Sequence, residues 1–151
     1  MGKLNQSNGA FDDGIYYYFG PNTPEHIRLE MKTDSPNVES CDVRLTTIND
    51  TTNLVYRKIP WTDVAFFRFG YYNYQKMNLV SMVNMFVGNT WYPVDLLIDW
   101  NAQTVTVYVN DTATPLASDI FFTKSGTNVP SANTIVLYNL TPGTTCSIRN
   151  L

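Results

Sequence analysis

The sequence is poor in charge, histidine, long apolar runs and helical periodicity, and each shortage removes a class of protein. Charged residues make up 15% of the chain, well under the usual quarter. Ten basic residues face 13 acidic ones, for a net charge of −3 and a pI near 4.9. A nucleic-acid binder needs a basic stripe to displace counterions, and docking on an anionic membrane needs the same. No apolar run approaches the ~18 residues of a bilayer-spanning helix, so no membrane insertion is expected. His26 is the one histidine, and the two cysteines, Cys41 and Cys146, form no CxxC pair; a zinc site lacks its ligands. The eight glycines are scattered and build no phosphate-cradling loop. The opening Met1-Gly2-Lys3-Leu4-Asn5-Gln6 has no apolar h-region. The chain stops at Asn150-Leu151 without a polar tail, so a module cut from a longer chain is expected.

Against these shortages, hydrophobic residues reach 44% and aromatics 14%, enough apolar surface for a core. A length of 151 residues fits one domain spanning 1–151. With so little charge, the polar surface falls to 16 Asn, 18 Thr and 8 Ser. Asn-x-Ser/Thr motifs occur at Asn5, Asn49, Asn110 and Asn139, a number that this composition produces by chance.

Period-two alternation dominates. Ile15 to Phe19 reads as a strand closed by Gly20-Pro21-Asn22-Thr23-Pro24. Ile27, Leu29 and Met31 alternate with Arg28, Glu30 and Lys32, and Cys41, Val43 and Leu45 alternate with Asp42, Arg44 and Thr46. Leu54 to Ile59, Val64 to Phe69 and Leu79 to Val87 read as further strands, the last on its Val and Phe content. The clearest unit runs from Trp91 to Val109. Val94, Leu96, Ile98 and Trp100 share one face, Asn101-Ala102-Gln103 turns the chain, and Val105, Val107 and Val109 share a face of the return strand. Ile120-Phe121-Phe122, Thr134 to Tyr138 and Thr145 to Leu151 follow. Roughly nine to eleven strands and no convincing helix imply an all-β protein, a two-sheet antiparallel β-sandwich of the jelly-roll kind. Cys41 and Cys146 both sit toward apolar neighbours and should be inaccessible. A disulfide between an early and a late strand, or two buried thiols, would read alike.

The block Trp91 to Asn110, WYPVDLLIDWNAQTVTVYVN, resembles the late hairpin of laminin G-like domains. There a W-x-x-V-x-L-x-x-D strand turns into an x-V-x-V-Y-V-N/D-G strand. Ile135 to Asn139 and Cys146 to Leu151 resemble the closing strands. The resemblance covers the chain from Trp91 onward, with Asp111 in place of the usual glycine, and implies the concanavalin A-like lectin/glucanase superfamily. That sandwich hosts lectins, glycosidases and adhesive modules, so it implies a fold more than an activity. It also implies calcium as a possible cofactor, held by rim carboxylates. Asp12-Asp13-Gly14 offers two hard oxygens, and Asn110-Asp111 another pair; either segment is equally a plain turn.

Glycoside hydrolysis needs two carboxylates flanking the scissile bond. Glucanases of the superfamily carry Glu-x-Asp-x-x-Glu, and Glu25, Glu30 and Glu39, the three glutamates, stand in no such phrase. Asp95 and Asp99 share a strand face, but read more simply as a solvated strand residue and a hairpin-end residue. His26, the only side chain for a nucleophile's base, reads as a solvated histidine. The chain is therefore expected not to be an enzyme. Sugars are gripped by flat rings with amides and carboxylates around them. Tyr71, Tyr72 and Tyr74, with Asn73 among them, form a candidate binding rim. Tyr16 and Tyr18, opposite the face of Ile15, Tyr17 and Phe19, are a second candidate, though tyrosines also pack a second layer of core. The expected function is a non-catalytic recognition module binding a glycan or a protein partner through rim loops, extracellular or at a cell surface if it belongs to a longer secreted chain and of unassigned compartment otherwise. A structural module of a larger assembly and an atypical polysaccharide-active enzyme are the alternatives.

Overall fold

Within the described residues, alternating segments bracketed by turn chemistry form strands. The computed structural model describes residues 2–5, 15–48, 61–72, 80–122, 127–139 and 141–151. Twelve strands fall within them: β1 (Gly2–Asn5), β2 (Ile15–Asn22), β3 (His26–Thr33), β4 (Ser40–Ile48), β5 (Trp61–Phe69), β6 (Tyr71–Tyr72), β7 (Val80–Ser81), β8 (Tyr92–Asp99), β9 (Thr104–Val109), β10 (Ala117–Phe121), β11 (Ala132–Tyr138) and β12 (Thr145–Arg149). A six-stranded sheet in the order β1-β12-β3-β8-β9-β10 packs on a four-stranded sheet in the order β2-β11-β4-β5, and β6 and β7 pair separately. All pairings are antiparallel. The chain is an all-β sandwich. Its last two strands return between its earliest ones, β11 between β2 and β4 and β12 between β1 and β3.

The core is the set of inward positions. Ile27, Leu29 and Met31 of β3, Val94, Leu96 and Ile98 of β8, and Val105 and Val107 of β9 meet Val43, Leu45, Ala65, Phe67 and Phe69 from the other sheet, all buried. Ile98→Ala should lower the unfolding free energy by about 2–5 kcal/mol, the cost of truncating a buried aliphatic chain. Urea denaturation measures this, and a loss under about half a kcal/mol would mean the face is not core.

Cys41 of β4 and Cys146 of β12 form a disulfide across the two sheets, with Cα atoms 4.9 Å apart and no exposed surface on either residue. At both ends of β4, side-chain amides add to the backbone bonding, Asn139 beside the disulfide and Asn133 at the far end. Asn139 accepts from the Cys41 N–H at 3.0 Å and donates to the Thr144 carbonyl at 2.8 Å. Asn133 accepts from the Ile48 N–H and donates to the Ile48 carbonyl, at 2.9 and 2.8 Å. Part of the amide richness is thus spent inside the molecule, where unpaired backbone groups would cost stability.

The structure corrects three sequence expectations. Within Leu79 to Val87 only Val80–Ser81 is strand, and Leu79 lies outside the described residues. Met82 and Phe86 turn inward four residues apart, Met82 fully buried and Phe86 against Phe69 and Tyr92. Asn84 takes φ 65° between them, so the segment is a turn anchored at both ends. Gly70 ends β5 at φ 94°, where a Cβ would overlap the Val38 backbone. Next, β4 is buried on both faces. Asp42, Arg44 and Thr46, on its polar side, are buried as Val43 and Leu45 are, with only Arg44 keeping a little exposed surface. The third correction concerns Asp95 and is described below. Leu54 to Ile59 lies outside the described residues.

Candidate functional site

In an antiparallel pair, residues directly opposite share a face. The register therefore sets out the outer face of the six-stranded sheet. Arg28 of β3 stands opposite Asp95 of β8, which stands opposite Tyr108 of β9. One step along, His26, Leu97 and Thr106 form the next row, and Asp99 and Thr104 the one after.

Asp95 anchors the first two rows. Its Oδ1 lies 2.6 Å from His26 Nε2, and Arg28 Nη1 donates to its two oxygens at 3.2 and 3.3 Å. Asp95 is only 2% exposed, not solvated as its alternation suggested, because His26 and Arg28 fold over it. His26, read as a bland solvated side chain, is half of that cover. The pairing of Asp95 with Asp99 as a catalytic couple finds no support in this geometry. Asp95 is enclosed by its two partners, and Asp99 Oδ1 accepts the Ala102 N–H at 2.9 Å to hold the hairpin turn.

Beyond Asp95 a groove of about 680 Å³ opens along β9. Leu97 and the half-buried ring of Tyr108 supply its apolar surface, and Thr104 and Thr106 contribute hydroxyls. At one end, Trp100 pins the hairpin turn. Its indole N–H donates to the Pro24 carbonyl at 2.8 Å, and its ring meets Phe122 edge-on at 5.2 Å. Gln103 holds the same turn, donating to the carbonyls of Trp100 and Val129 and accepting the Val129 N–H. Asn101 and Glu25 sit at this end. On the far wall, a register shift in β10 between Ala117 and Ile120 pushes Asp119 outward at φ 54°, over Thr106, whose hydroxyl oxygen accepts the Asp119 N–H at 3.3 Å. Bulges commonly re-aim a side chain in this way. The groove thus carries the exposed carboxylates of Glu25, Asp99 and Asp119 and, among the described residues, no lysine or arginine.

A second recess of about 620 Å³ lies between β2 and β3 and is mainly apolar. Tyr17 and Phe19, with ring centroids 6.3 Å apart, face Ile27, Ile135 and Leu151, and Asn22, His26 and Arg28 edge it. A third cluster lies on the outer face of the four-stranded sheet, where Asp42, Arg44, Asp63 and Arg68 are joined by ion pairs. Burial pushes the Asp42 carboxyl above the ordinary carboxylate value, against the pull of Arg44 and Arg68. Asp42 has no exposed surface and Arg44 is buried, and neither recess is lined by this cluster.

The residues singled out from sequence are scattered. The Tyr71 and Tyr72 backbone forms β6, paired with Ser81 and Val80. Asn73 and Tyr74 lie outside the described residues, as do Asp12 and Asp13. Tyr18 is 47% exposed and Tyr16 half-buried, and neither lines the recesses. Asp111 is engaged in its own turn, accepting the N–H groups of Ala113 and Thr114, which lower its pKa. Among the described residues no three His, Cys, Asp or Glu side chains converge to hold a metal ion, and no helix is long and apolar enough to cross a membrane. The groove residues Tyr108, Leu97, Asp119 and Glu25 were not picked out from sequence. The signal available was the hairpin register, which sets Tyr108 and Thr106 beside Asp95 and Leu97.

No protein-family profile matches the sequence, and no curated protein does. Among solved structures, a chain titled "Sialidase" is similar over 91% of this chain with a TM-score of 0.53 and 9% identity. The match spans 14% of that chain's length. At this identity the likeness speaks for the β-sandwich fold alone.

Proposed function

We propose that this chain is a non-catalytic recognition module of laminin G-like, concanavalin A-like kinship that binds an uncharged glycan in the groove along β9. The observation that carries the reading is the composition of that groove. A Tyr108 ring and Leu97 offer apolar surface to sugar C–H faces, and hydroxyls, one amide and three carboxylates surround them as partners for sugar hydroxyls. Like charges facing each other across an interface are costly, so three carboxylates with no lysine or arginine beside them among the described lining residues disfavour acidic sugars. The likeness in fold to part of a sialidase is consistent with a carbohydrate-related module. A disulfide suits an oxidising, extracellular setting.

Tyr108→Ala should weaken glycan binding by about tenfold or more, as truncating an interface anchor does. The melting temperature should change little, since Tyr108 is not a core residue. A glycan array followed by titration calorimetry measures this. Binding to no glycan, or unchanged affinity in the variant, would remove the reading. A second reading, docking in a larger protein assembly, draws on the exposed apolar strip of β2, where Ile15 is 45% and Tyr17 60% exposed.

A further inference from the structure

We infer that Asn110, in the turn after β9, is an acceptor site for N-linked glycosylation, and that Asn139, which carries the same motif, is closed to it in the folded chain. Asn110-Asp111-Thr112 and Asn139-Leu140-Thr141 both fit the acceptor pattern. The fold separates them.

Asn110 adopts φ 76°, a left-handed conformation that asparagine tolerates, and its backbone N–H is tied to the Pro93 carbonyl at 2.8 Å. Asp111 then bends the chain by accepting the Ala113 and Thr114 N–H groups at 2.9 and 3.0 Å. Asn110, Asp111 and Thr112 are all exposed on the resulting turn, and no hydrogen bond among the described residues engages the Asn110 amide. Asn139 is the opposite case, at 2% exposed. Its Nδ2 donates to the Thr144 carbonyl, while its Oδ1 accepts from the Cys41 N–H and the Thr144 hydroxyl.

The co-reactant is a lipid-pyrophosphate-linked oligosaccharide, found in the kind of oxidising compartment where disulfides form. Asn110 Nδ2 attacks the anomeric carbon. The N–C bond forms as the C–O bond to pyrophosphate breaks, Nδ2 gives up one proton, and the lipid pyrophosphate leaves. Transfer acts on the nascent chain, so both sites are reachable before folding. A sugar on Asn139 Nδ2 would stand between Thr144 and the Cys41 backbone and block closure around the disulfide, so chains that mature with the disulfide closed lack it.

The test is to secrete the chain from a eukaryotic cell, select the oxidised protein, and treat it with peptide N-glycosidase in heavy-oxygen water. Peptide mass spectrometry then reads each site separately, Asn5 and Asn49 included. The Asn110 peptide should carry a heavy-oxygen aspartate and the Asn139 peptide an unchanged asparagine. Thr112→Ala should remove one glycan's mass with the melting temperature retained, and Asn110→Gln should remove the same mass with some loss of melting temperature, because glutamine is strained at φ 76°. An unmodified Asn110 in disulfide-closed protein, or a sugar on Asn139 in it, overturns the inference.

Discussion

Replacing Cys41 and Cys146 together by alanine is expected to cost about 2–5 kcal/mol of stability, the usual result of removing a native disulfide. The bond closes a sequence separation of 105 residues, and constraining a loop of that size in the unfolded chain corresponds to about 4.7 kcal/mol in the chain-entropy account. It also ties β4 to β12, one strand from each sheet, so reduction loosens the layers against each other. Cys41 sits at φ 54°, with its N–H held by Asn139. That amide network remains in the variant and should keep the native topology. Urea midpoints of the two proteins measure the difference, and a loss below about half a kcal/mol would contradict the assignment of the bond as a main stabilising link.

Arg44→Met should have a comparable effect, about 3–5 kcal/mol, because it strips the buried Asp42 carboxylate of its nearest counter-charge and leaves it Arg68 at 3.9 Å. Arg44 holds Asp42 with two bonds, Nε to Oδ1 at 3.1 Å and Nη2 to Oδ2 at 3.2 Å, and reaches Asp63 Oδ2 at 2.5 Å. Its guanidinium lies over Phe66 and near Tyr138, 4.5 and 5.5 Å from their ring centroids. Methionine keeps much of the stem's packing, so the loss is mainly that of charge. The double change Arg44→Met with Asp42→Leu should recover part of the stability, as replacing a buried pair by apolar groups often does, while Asp63 still loses its Arg44 partner.

The pH dependence follows from the direction of the Asp42 shift. Its folded value lies above the unfolded one, so the native state binds that proton more tightly. The group's contribution is therefore most favourable below the ordinary carboxylate value and is lost as pH rises through the raised one. Removing Arg44 raises it further. The deficit of Arg44→Met should then be largest near neutral pH and shrink on acidification, and a deficit independent of pH would refute the charge explanation.

The β-sandwich and its core were legible because both rest on local periodicity. Val94, Leu96, Ile98, Val105 and Val107 alternate along their strands, and a half-buried sheet needs nothing more to orient them. The burial of Cys41 and Cys146 follows from the same alternation. Their bonding does not, since it depends on β4 and β12 meeting across the two sheets. Alternation also names a face without saying what lies beyond it, so Arg44 and Asp42 read as polar-side residues although both are buried. Asp95 was misread because its cover, His26 and Arg28, comes from a strand distant in sequence.

The groove illustrates the same division. Tyr108, Leu97 and Asp119 lie on three strands of the six-stranded sheet, and Glu25 on the connection into a fourth. Local pattern assigns each to a strand or turn, but only the strand order β3-β8-β9-β10 and the irregular register of β10 bring them to one opening. Side-chain periodicity is a property of a few neighbouring residues and is written in the chain. Strand order, pairing register and cross-sheet bonding depend on contacts between residues tens of positions apart, and these take shape only when the sheets close on each other.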